Sequence, residues 1–155
     1  MDVEHYFLRY SFPCSFIIKG MGEIDESTFE KLRDCAVNLK PISREELEKI
    51  FHRAFEKIKK YYDDPWKIEI ISDYFKNKHN GEIDRGEGYY HDAPIMIRKL
   101  SKVHKARILD KKLNTFLVEY PEGNRRVFND FVPEAKIGDH VFIHFGYAVE
   151  MASEK

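Results

Sequence analysis

The side chains able to do chemistry are few and scattered. Cys14 and Cys35 are the two cysteines of 155 residues, and they lie in neither a C-x-x-C nor a zinc spacing. They read as reduced thiols rather than as a disulfide scaffold, with a single bridge between the two left open. Cys14 follows Pro13, whose bend would leave a thiol accessible and make it a candidate metal ligand, although a free cysteine more often fills a small buried space. Cys35 falls on an apolar helical face with Leu32 and Leu39, a core position. His79, Glu82, Asp84, Glu87 and His91 gather nitrogen and oxygen donors around a glycine-containing stretch. Their spacing follows no metal motif, and an exposed charged loop accounts for them. Gly86-Glu87-Gly88 lacks the Gly, Lys and Ser/Thr that complete a phosphate loop. No nucleophile elbow, Ser/His/Asp order or paired-carboxylate motif stands out, so catalysis is not the expected class.

Two further groups point to binding. His144 ends an alternating run, His140-Val141-Phe142-Ile143-His144, where an imidazole can hydrogen-bond a partner or ligate a metal near neutral pH. Lys102, Lys105, Arg107, Lys111, Lys112, Arg125 and Arg126, with Phe116 and Phe128 nearby in sequence, have the composition of a single-strand nucleic-acid face. Glu119, Glu122, Asp130 and Glu134 interrupt that cluster, and a solvated barrel surface is its plainer reading. His104 and His140 read as surface residues, and Tyr89-Tyr90 as an exposed contact.

The elements that must position these residues divide the chain into unlike parts. Ser43 and Glu46 form a capping box ahead of Leu47, Ile50, Phe51, Ala54, Phe55, Ile58, Tyr61 and Tyr62, which recur at helical steps. Asp64-Pro65 then caps and opens a helix carrying Trp66, Ile70, Ile71, Tyr74 and Phe75. Phe29 to Leu39 marks a shorter helix that Pro41 ends, and Pro94 to Leu100 a brief one begun near Asp92. Tyr6 to Ile18 has no clear period, with a strand at 15–18 as one reading, and Asn80 to Asp92 reads as a loop. After Ser101 the runs become short, β-branched and aromatic: Val103 to Leu109, Thr115 to Tyr120, Arg125 to Phe131, Asp139 to Phe145 and Tyr147 to Glu150. The turn Pro121-Glu122-Gly123-Asn124 joins the middle pair. The expected architecture is α+β, a mostly helical region at 1–98 of unknown role followed by a small five-stranded OB-like barrel at 99–155, closed so that no edge is left unpaired.

Composition narrows the partners. The formal net charge is -1 and the isoelectric point about 6.7, so no global positive field draws nucleic acid or an anionic membrane. Charged residues make up 34% of the chain and the mean hydropathy is -0.56, as for a heavily solvated surface. No stretch approaches the ~20 apolar residues of a membrane span, and the acidic, polar start Met1-Asp2-Val3-Glu4-His5 is unlike a signal peptide. The expectation is a cytoplasmic protein with no membrane partner.

The most specific signal is the run from Phe131 to Val149. A Val132-Pro133 step, the Gly138-Asp139 turn and the strand ending His144-Phe145-Gly146-Tyr147-Ala148-Val149 resemble the HypC/HupF family of hydrogenase-maturation chaperones, over about the last 50 residues. The resemblance implies protein binding in [NiFe]-hydrogenase or related metalloenzyme maturation. The partner would be a HypD-like protein or the precursor of the large hydrogenase subunit. Carried over residue by residue, it places His144, Gly146, Tyr147 and Ser101 at the partner-binding surface. Iron enters only if the likeness extends to chemistry, with Cys14 and His144 as candidate ligands. One departure stands out: the family begins Met-Cys ahead of its first strand, whereas here Ser101 occupies that place, and a hydroxyl cannot replace a thiolate as a soft iron ligand. An OB-type single-strand nucleic-acid binder is the alternative reading.

Overall fold

The computed structural model describes residues 1–152. The described residues form two compact units, meeting in sequence between Phe75 and Lys76. The second unit therefore takes in two helices as well as the barrel.

The first unit is all helix. Asp2 caps α1 (Val3–Ser11) by accepting from the His5 N–H, a 3₁₀ turn at Phe12–Cys14 follows, and α2 covers Ser15–Gly20. The strand reading of 15–18 is thus corrected. Tyr6, Phe7, Leu8, Tyr10 and Phe12 are all buried, so the buried face of this segment is broad, and the 3₁₀ turn at Phe12–Cys14 interrupts the helical period before α2. Asp25 caps α3 (Glu26–Asn38), which ends on Leu39 in the left-handed region, φ 55°. Ser43 caps α4 (Arg44–Ile50) through the Glu46 N–H, 3.1 Å away. The single helix expected from there to Tyr62 is broken: Phe51 leaves helical geometry at ψ 38° and α5 covers His52–Tyr61. Asp64 accepts from the Trp66 N–H, yet α6 begins only at Ile68 and ends at Asp73. Phe7 lies at the centre of the core, with ring centroids of Phe55, Phe51 and Trp66 at 4.5, 5.7 and 5.8 Å.

A π-helical turn spans Tyr74–Lys78. In the second unit the expected loop at 80–92 is largely helical, with α7 at His79–Asp84 and a 3₁₀ turn at Gly88–His91. Packing overrides composition here, because His79, Glu82 and Ile83 are buried. Arg98 of α8 (Ile95–Ser101) donates to the Ile83 and Asp84 carbonyls and so caps the end of α7.

Five strands follow, β1 (His104–Lys112), β2 (Thr115–Tyr120), β3 (Gly123–Phe128), β4 (His140–His144) and β5 (Tyr147–Ala152). They close into a barrel of order β1-β2-β3-β5-β4. All pairings are antiparallel except β3 with β5, giving the OB-like closure expected. Alternation sends Ala106, Ile108, Phe116, Val118, Val127, Val141, Ile143 and Ala148 inward, and Val132 and Ala135 of the β3–β4 connection join the same core. Gly138 turns into β4 at φ 93°, a conformation that favours glycine.

Candidate functional site

The β4–β5 turn and the segment entering β1 meet at one end of the barrel. The Phe145 N–H donates to the Leu100 carbonyl at 3.0 Å, which brings the end of β4 beside the end of α8. Asn80 of α7 fixes the next residues: its Nδ2 donates to the Val103 carbonyl and its Oδ1 accepts the Val103 N–H, each at 2.8 Å. This two-point amide clamp occupies both backbone groups of a buried residue just before β1 pairs with β4.

The four expected partner-binding residues are sorted by this arrangement. His144 is fully buried, its ring meeting that of His79 edge-on with centroids 5.1 Å apart. Ser101 is also fully buried, its Oγ donating to the Ile97 carbonyl at 2.6 Å. Tyr147 is buried and stacks on Phe131, centroids 5.0 Å apart, with Phe128 at 5.3 Å. Gly146 alone of the four is exposed. Its carbonyl accepts from the Phe128 N–H at 2.7 Å, and Phe128 itself is 42% exposed. The accessible surface at the turn is thus Gly146 with the outer side of Phe128, resting on the buried Tyr147–Phe131 pair.

The left-handed residue of the turn is Phe145, at φ 50°, and not Gly146. A Cβ built on Gly146 meets nothing within 4 Å. The glycine is therefore not demanded by backbone geometry or by close packing within the chain.

The metal candidates do not fit iron. Among the described residues no three His, Cys, Asp or Glu side chains converge on a cation position. His79 and Glu82 are buried on α7, Asp84 pairs with Lys102 at 2.6 Å, Glu87 with Arg85 at 2.7 Å, and His91 is exposed beside Asp92. Cys14 belongs to the first unit and His144 to the second. Burial pushes the Cys14 thiol up to about 12, against a smaller opposing pull from Lys57, so it is protonated at neutral pH and a poor nucleophile. Burial also raises Cys35. Both cysteines are thiols and not a disulfide pair. Ser101 has its hydroxyl proton committed to the Ile97 carbonyl.

The basic cluster is dispersed as well. Arg126 reaches Thr115 and Asp110, Lys111 donates to the Pro133 and Ala135 carbonyls, and Lys105, Lys102 and Arg125 are partly buried. On the outer face, registers Arg107–Glu119 and Asp110–Leu117–Arg126 alternate charge. The row Lys112–Thr115–Phe128 sets a lysine and an exposed aromatic ring on the two strands that flank β2.

The Asn80 clamp was hidden from sequence reasoning, since an Asn-Gly step in a charged stretch reads as a turn. No family model matches this chain, and no curated protein matches it. No helix among the described residues is long and apolar enough to cross a membrane.

Proposed function

We propose that this chain is a HypC-like accessory protein that binds a protein partner in the maturation of a [NiFe]-hydrogenase or related metalloenzyme, and that it acts in the cytoplasm. The observation that carries the reading is the coincidence of the family-like run with one structural device. Phe131 to Val149 supplies the connection into β4, the Gly138 turn, β4 itself, the Phe145-Gly146 turn with its exposed glycine and the start of β5. The partner is a HypD-like protein or the precursor of a large hydrogenase subunit. It meets Gly146 and Phe128, while His144, Tyr147 and Ser101 hold the turn from beneath. Binding is through shape and apolar contact at this end, with no metal ligand contributed by the turn.

Gly146 supports this role because nothing inside the chain requires a glycine there, so its small size serves close approach from outside. Phe128 supplies an exposed apolar aromatic ring, a residue type enriched at interfaces. Pull-down of the full chain with a HypD-like protein or hydrogenase-subunit precursor tests the proposal. Binding lost in Gly146→Trp and weakened in Phe128→Ala supports it, and absence of any such complex from the wild-type chain under all metal and redox conditions overturns it. The second reading, an OB-type single-strand nucleic-acid binder, rests on the Lys112–Thr115–Phe128 row. It requires RNA or DNA affinity that falls steeply with salt, and flat titrations at low salt remove it.

A further inference from the structure

The end of the barrel where β1 begins, β2 ends and β3 begins is lined by polar groups turned inward. Cross-strand partners project to the same side of a sheet. Arg125 pairs with Val118 and His104 with Ile143, and both partners are fully buried in the barrel core. Arg125 and His104 therefore face the interior, at its mouth, where Tyr120 packs against the same core. The Arg125 guanidinium carbon lies 5.1 Å from the Tyr120 ring centroid and the His104 ring 5.2 Å from it.

Three nitrogens around the Tyr120 ring have no hydrogen-bond partner. Arg125 Nε and Nη2 are buried, as is His104 Nε2, and no described residue accepts a hydrogen bond from any of them. The nearest carboxylate, Glu122, stands at the rim 4.0 Å from His104 Nε2, beyond hydrogen-bond reach. Lys102 also faces His104, with its ammonium engaged by Asp84 at 2.6 Å. Unpaired buried guanidinium donors cost the desolvation of a charged group, and stacking on Tyr120 replaces only part of that hydration. Burial holds both Arg125 and His104 below their ordinary pKa ranges, against the opposing pull of Glu122 on each.

We infer that this mouth is a binding site for a carboxylate, taken side-on by Arg125 Nε and Nη2 with His104 as a third contact. The Nε–Nη2 edge of a guanidinium presents two parallel N–H donors at the spacing of two carboxylate oxygens. The Tyr120 ring packs against the guanidinium and against the His104 ring, so entry proceeds by rotation of side chains at the strand ends, next to the exposed Pro121 and Glu122. The site is independent of the partner reading: it uses none of the residues assigned to the Gly146 turn. The carboxylate can come from a free small acid or from a peptide C-terminus, and the recognition chemistry is the same.

The test follows the Arg125 Nε–H cross-peak of the full-length chain by NMR during titration with acetate, with chloride at matched ionic strength, and with phosphate. A parallel arm uses a short acetylated dialanine with a free C-terminal carboxylate and its amidated form. A saturable shift with acetate assigns the site to free acids. A shift with the free-carboxylate peptide and not its amide, in the absence of one with acetate, assigns it to peptide termini. Arg125→Lys should weaken binding roughly tenfold by losing the fork, and His104→Asn several-fold with the fold intact by circular dichroism. No shift with either carboxylate overturns the inference, as does an equal shift with chloride or phosphate. Because the wild-type cross-peak is itself the readout, failure of Arg125→Lys to fold leaves the test decisive.

Discussion

Replacing Asn80 by Ala should unseat the start of the barrel. The substitution removes a donor and an acceptor that together satisfy the Val103 carbonyl and N–H, each across 2.8 Å. Val103 is only 5% exposed, so water replaces these bonds poorly. A buried backbone group left unpaired costs about 1–3 kcal/mol, so two of them on one residue cost about 2–6 kcal/mol. For a cooperative unit of 60–100 residues, each kcal/mol moves the midpoint by about 4–8 °C, so a fall on the order of 10 °C or more is expected for the second unit. Urea unfolding followed by barrel-specific signals should show a lower midpoint with unchanged slope. Native-state hydrogen exchange should show the Val103 amide losing protection before the central strands. Asn80→Asp keeps an acceptor for the Val103 N–H but turns a carboxylate oxygen toward the Val103 carbonyl, and should cost at least as much as Ala. A change below about 0.5 kcal/mol in Asn80→Ala, the range of an ordinary surface substitution, with unchanged Val103 protection, would refute the clamp.

Other expectations follow from the same structure. Leu113 sits 91% exposed at φ 56° in the two-residue turn between β1 and β2, so Leu113→Gly should raise stability by about 1 kcal/mol, read by urea denaturation, through relief of left-handed strain. Cys14, with its thiol raised to about 12, favours the folded state fully below the ordinary thiol range. That contribution is lost as pH climbs through the alkaline range toward 12, because the unfolded chain releases the proton first. Cys14→Ala should flatten the alkaline fall in stability, and iodoacetamide at pH 8 should label native Cys14 far more slowly than the unfolded chain. Glu23 runs the other way: hydrogen bonding to Arg53, helped by His52, holds its carboxyl down to about 2. Its pairing favours the fold above the usual carboxylate range and is lost as pH falls toward 2, so Glu23→Gln should reduce the acid dependence of the first unit's unfolding midpoint in that window.

The barrel was legible because its strands alternate. Val141 and Ile143 could be assigned to the core from period alone, and the Pro121-Glu122 step located the β2–β3 hairpin. The same alternation misleads at a strand end, where His144 is buried although its neighbours in period face outward. By charge Arg125 belongs with the surface cations, yet its register opposite Val118 turns it inward. In the helical region the Ser43 cap was readable from a side chain with a local job. The break at Phe51 had no such signal, and in α1 the burial of Tyr6, Phe7, Leu8 and Tyr10 makes a broad apolar face rather than a narrow stripe. Between 79 and 84, glycine and charge argued for a loop, while burial of His79, Glu82 and Ile83 and the Asn80 clamp hold a helix. Local composition carries no record of such tertiary contacts.

The proposed working surface of the barrel is the Phe145-Gly146 turn, not a metal site. Quantitative capture of a HypD-like protein by the full chain, wild type against Gly146→Trp, measures it most directly. Gly146 is outside the left-handed region and has open space around it, so the variant should keep its unfolding midpoint while affinity falls by at least tenfold. A folded Gly146→Trp protein that binds as tightly as wild type would contradict the account.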